Sequence, residues 1–85
     1  MKNKDMYIKT FVTTFEVDES VLNESFTFED NARWDSLGHM TLIDNLENNF
    51  GIFLETEEIL NFQSFENGKK ILENHSIKMD DEYVK

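Results

Sequence analysis

Asp35, Ser36 and His39 fall within the run "RWDSLGHM" (Arg33–Met40), and together they hold the residue types in this chain that could do chemistry. A hydroxyl between a carboxylate and an imidazole first suggests a hydrolase. Such an enzyme needs a base, an orienting carboxylate and a strained nucleophile turn such as G-x-S-x-G. Ser36 is instead preceded by Arg-Trp-Asp and followed by Leu-Gly-His, which does not match. Asp35 and His39 also stand at i, i+4, but one carboxylate and one imidazole make a weak metal site. Asp18 to Glu29 has the length of a calcium loop and begins and ends with acids. It carries Asn23 where that loop needs glycine and Leu22 where it needs an oxygen ligand. No catalytic residue and no metal site are assigned. On composition, the plain role for Ser36 or Asp35 is N-cap of a helix.

The elements that must position this run read as helices. Ile8, Phe11, Val12 and Phe15 recur at i, i+3, i+4 and i+7, which predicts a helix from about Asp5 to Glu16. Its interleaved threonines lower helix propensity, so packing must supply the remainder. A loop of 19 residues follows, Val17–Asp35, with Val21, Leu22, Phe26 and Phe28 as expected anchors. Loops of that length usually carry function or a short helical turn. The second helix is predicted from Ser36 to Phe50, burying Leu42, Ile43, Leu46 and Phe50 and turning Thr41, Asp44, Asn45 and Asn48 outward. Gly51 is its expected stop. A short third helix lies in "TEEILNF", capped by Thr56, with Glu57 and Glu58 suiting its first turn. Ser64 opens the last helix, with Phe65, Gly68, Ile71 and Leu72 on one side. Gly68 is costly in a helix interior unless another helix crosses closely there. The expected fold is all-α: one domain over 1–85, a four-helix bundle of three longer helices and a short third, with a long loop between the first two and a frayed tail at about 78–85.

Charge sets the choice of partners. Eighteen acidic residues against eight basic ones give a net charge of -10, which repels nucleic acid and anionic membranes and favours basic protein surfaces. The hydrophobic share of 39% and eight phenylalanines argue for a folded domain over a disordered one. There is no cysteine, as suits a reducing cytoplasm. Neither a signal peptide nor a membrane-spanning run is evident. A cytoplasmic monomer is expected.

Asp35-Ser36-Leu37, followed by Leu42-Ile43, Leu46-Glu47 and Phe50-Gly51-Ile52, resembles the signature of acyl carrier proteins and related thiolation domains. In that family a D-S-L motif opens the second helix and an E-x-x-F-G-I-like segment closes it. The likeness extends over nearly the whole chain, including the long loop, the short third helix and "SFENGKKIL". It implies a freestanding carrier whose Ser36 hydroxyl bears a 4'-phosphopantetheine arm taken from coenzyme A, with an acyl or aminoacyl cargo held as a thioester on the arm. The implied partners are a phosphopantetheinyl transferase, an acid-activating ligase, and synthases or transferases with basic docking surfaces. Asp35, Leu37, Met40, Asp44, Glu47 and Glu57 are the implied docking residues, with Asp35 aiding recognition by the transferase. Trp34 either packs over the loop or lines the approach to the arm, and His39 is a partly buried structural or pocket-lining residue. A cavity around Leu46, Ile59 and Phe62 could hold the cargo. Two features depart from the family: Gly38 and Thr41 occupy places that are acidic in many fatty-acid carriers, and the G-G-x-S form of peptide-synthetase carriers is absent. The reading from another class is an unmodified acidic helical adaptor that only docks basic proteins.

Overall fold

The computed structural model describes residues 1–79. They form four helices and no strand: α1 (Asn3–Phe15), α2 (Ser36–Phe50), α3 (Thr56–Asn61) and α4 (Phe65–Glu73). A single 3-10 turn, Glu19–Val21, interrupts the long α1–α2 loop. None of these helices is long and apolar enough to cross a membrane.

The buried face of α1 is turned slightly from the expected one. Tyr7, Phe11 and Phe15 are buried, while Ile8 and Val12 are only half-buried. Tyr7 joins this face although its hydroxyl is polar, because that group donates to the Phe65 carbonyl at 2.7 Å. Burial, and then the charge of Glu66, push the phenol well above its ordinary value, so it stays a donor. Phe11 is the hub of an aromatic core. Its ring centroid lies 4.9 Å from Tyr7, 5.1 Å from Phe65 and 5.5 Å from Trp34. Complete burial of each such ring stabilises by roughly 1.5–3 kcal/mol.

The α1 threonines contribute more than the sequence suggested. Thr10 and Thr14 accept, at 3.0 Å each, from the side-chain amides of Asn49 and Asn45 on α2. The pairing rises along α1 as it falls along α2, so the two helices run antiparallel. Asn45 therefore does not simply face away; it is half-buried against α1.

Within the long loop, Phe26 is buried and Leu22 and Phe28 pack against the core, but Val21 is exposed and anchors nothing. Two backbone bonds sew the loop to the start of α4: Phe28 N–H to the Gln63 carbonyl at 2.8 Å and Phe65 N–H to the Phe26 carbonyl at 2.9 Å. Ser64 caps α4 as expected, accepting from Asn67 N–H at 2.9 Å. The crossing anticipated at Gly68 is there: a Cβ on Gly68 would collide with the Phe62 ring and the Tyr7 hydroxyl. α3 is capped differently from expectation. Glu55 is its N-cap and Thr56 its first residue, and Glu58 Oε1 accepts from Glu55 N–H at 3.0 Å. Of the tail expected to fray, residues 80–85 lie outside the described residues. Lys78 and Met79 are held instead: Asn3 Nδ2 donates to the Lys78 carbonyl at 3.0 Å, and Met79 is buried.

Candidate functional site: the tip of the second helix

α2 begins at Ser36 and ends at Phe50, with Gly51 in the left-handed conformation as its stop. Asp35 is the N-cap, and its Oδ1 accepts from Gly38 N–H at 2.8 Å. Ser36 is thus the first helical residue, not the cap. It is exposed, and its hydroxyl makes no hydrogen bond among the described residues. The backbone N–H groups of Ser36 and Leu37 are the donors left at the helix tip, because Asp35 satisfies the next two through Oδ1 and its carbonyl. A phosphodiester on the Ser36 oxygen would therefore sit at the positive end of the helix dipole beside free donors.

The tip is held from behind. Arg33 Nη1 donates to the Phe15 carbonyl at 3.1 Å, closing the C-terminal end of α1 with a positive charge. A Cβ at position 38 would stand 2.8 Å from the Arg33 carbonyl and 3.2 Å from Phe15 Cε1. Gly38 is therefore required by a close approach. Trp34 packs rather than lining an approach: it is 1% exposed. Its Nε1–H donates to His39 Nδ1 at 2.9 Å, and His39 Nε2 donates to the Ile59 carbonyl at 2.8 Å. Both imidazole nitrogens are thus engaged in structural bonds, which leaves none for a metal or for Ser36. No group of three or more acidic or histidine side chains suited to a metal occurs among the described residues.

The six docking candidates fall into three places. Asp35 and Leu37 stand at the tip with Ser36, and Leu37 is 78% exposed. Met40, Asp44 and Glu47 line a groove of about 260 Å³ between α2 and the α2–α3 connection. Glu57 is exposed on α3 and does not line it. Glu47 is less free than a docking residue should be, since its Oε2 accepts from Leu54 N–H at 2.8 Å and pins the connection to α2. The anticipated cavity around Leu46, Ile59 and Phe62 is displaced. Leu46 and Phe62 are fully buried in packing, and of the three only Ile59 reaches the groove.

Phe53, 76% exposed, and Leu60, 65% exposed, are the surface residues that sequence reasoning missed. The sequence carries no signal for Phe53, since Ile52, Phe53 and Leu54 are all apolar; only the extended backbone, which makes them half-buried, exposed and buried in turn, turns Phe53 outward.

Comparison with protein-family models, with curated proteins and with solved structures finds no match.

Proposed function

We propose that this chain is a freestanding acyl carrier protein that bears a 4'-phosphopantetheine arm on Ser36 and presents an acyl or aminoacyl thioester to partner enzymes. The observation that carries the reading is the Ser36 hydroxyl, exposed and unbonded on the first turn of α2 beside its capping Asp35. The four-helix architecture with a short α3 fits the acyl-carrier type. Loading requires the Ser36 oxygen to attack the β-phosphorus of coenzyme A. A phosphodiester forms, the pyrophosphate bridge to 3',5'-adenosine bisphosphate breaks, and the serine proton passes to a base of the transferase. The chain supplies the attachment oxygen and the tip donors; when bound, the arm supplies the thiol that a protein without cysteine lacks.

The partners are the transferase, an activating ligase, and synthases or transferases with basic surfaces, drawn by exposed acids such as Asp44 and Glu57. The protein works as a cytoplasmic monomer. Incubation with coenzyme A and a broad-specificity phosphopantetheinyl transferase tests the reading by intact mass. The wild type gains the arm and Ser36→Ala does not. A wild type left unmodified by several transferases would make the chain an acidic adaptor instead.

A further inference from the structure

We infer that the cargo is a short acyl group bearing an ammonium, and that it lies in the open α2–α3 groove, not inside the bundle; this rests on the carrier reading of Ser36. The interior is occupied. Phe62, fully buried, has its ring centroid 6.3 Å from those of Phe11 and Trp34 and 6.4 Å from His39. Leu42, Leu46 and Leu54 around it are 0–1% exposed. At Gly68 the packing leaves no room for one added carbon before it strikes Phe62 and Tyr7. A long aliphatic chain entering here would have to displace rings from a close-packed core.

The groove offers a different environment. It begins at Met40, four residues beyond Ser36 and about 6 Å along the helix axis, within reach of an arm anchored at the tip. Its apolar surface comes from Met40, Ile43, Phe53 and Ile59, of which Met40 and Phe53 are largely open to solvent. Its charged lining is entirely acidic. Glu47 is spent on Leu54 N–H, but Asp44 has no hydrogen bond or ion pair among the described residues, and Glu55 stands nearby at the start of α3. No basic residue lines the groove. The shallow apolar surface accommodates a few carbons, and the free carboxylate attracts a cationic end and repels an anionic one.

β-Alanyl- and butyryl-coenzyme A make a nearly isosteric pair differing by an ammonium for a methyl, and octanoyl-coenzyme A supplies the long chain. Each is transferred to the full chain by the transferase, loading is checked by mass against Ser36→Ala, and amide shifts are read relative to the protein with the bare arm. The β-alanyl form should shift Met40, Asp44, Phe53 and Ile59 about threefold more than the butyryl form, the scale of an exposed ion pair. Asp44→Asn should remove that excess. The octanoyl form should leave Leu46, Phe62 and Leu72 unmoved and the melting temperature unchanged. Equal groove shifts for the isosteric pair, or octanoyl shifts in the core with a raised melting temperature, would overturn the inference while leaving the carrier reading intact. Failure of every thioester to load would remove both.

Discussion

Trp34 donates its indole Nε1–H to Nδ1 of His39 at 2.9 Å, and the same imidazole donates from Nε2 to the Ile59 carbonyl at 2.8 Å. This relay fixes the His39 tautomer and joins the end of the long loop, α2 and α3 through one side chain. His39→Ala leaves the buried indole N–H without its acceptor and the Ile59 carbonyl with only the Phe62 N–H at 3.4 Å. A loss of about 2 kcal/mol is expected, read by urea unfolding with Trp34, the only tryptophan, as the fluorescent probe. Ser36→Ala, which removes an exposed hydroxyl, should change stability by less than about 0.5 kcal/mol.

Asp35 combines two roles that substitution can separate. Asparagine keeps a side-chain oxygen for Gly38 N–H, whereas alanine removes the cap at a cost of about 1 kcal/mol. Asp35→Asn should therefore unfold at the wild-type urea midpoint. If the carboxylate aids the transferase, that variant should still acquire the arm about tenfold more slowly, a loss of about 1.4 kcal/mol in transition-state binding. Initial rates of mass gain measure it.

Glu58 gives stability a pH dependence of known sign. The Glu55 backbone N–H is the main cause that holds its carboxyl below the ordinary value; burial opposes it, and His75 adds to the lowering. His75 Nε2 lies 2.8 Å from Glu58 Oε2. A carboxyl lowered in the folded state contributes stability above its unfolded value, and that stability is lost as pH falls through the folded value. The melting temperature of the wild type should exceed that of Glu58→Gln at pH 7. The gap should shrink as the pH drops below 4.5, the group's ordinary value.

Gly68→Ala should cost about 1–3 kcal/mol through overpacking against Phe62 and Tyr7. In an exposed helix the same change stabilises, so the sign of the urea-midpoint shift alone decides whether the crossing is this close in solution.

Much of the framework was legible from periodicity and caps. The α2 boundaries, the Gly51 stop and the Ser64 cap rest on local rules that tertiary contacts did not override. What escaped were the roles of polar atoms in long-range packing. Tyr7 reads as amphipathic until its hydroxyl meets a carbonyl 58 residues away. Asn45 reads as an outward face until Thr14 is found opposite it. Glu47 reads as surface charge until the returning chain delivers Leu54 N–H to it. The tip residues Asp35, Ser36 and Leu37 were placed correctly at the start of a helix because an N-terminus is a local feature. The groove was misplaced because its shape depends on how the α2–α3 connection turns after Gly51.

α3 has no fully buried side chain, and the chain's two histidines both bond to it, His39 from α2 and His75 from beyond α4. A segment tethered by polar links on the outside of a tightly filled core is an independent opening unit. Its amides should exchange with deuterium well before those of α1 and α2. One wall of the groove is therefore expected to swing aside and reseat without any melting of the aromatic centre.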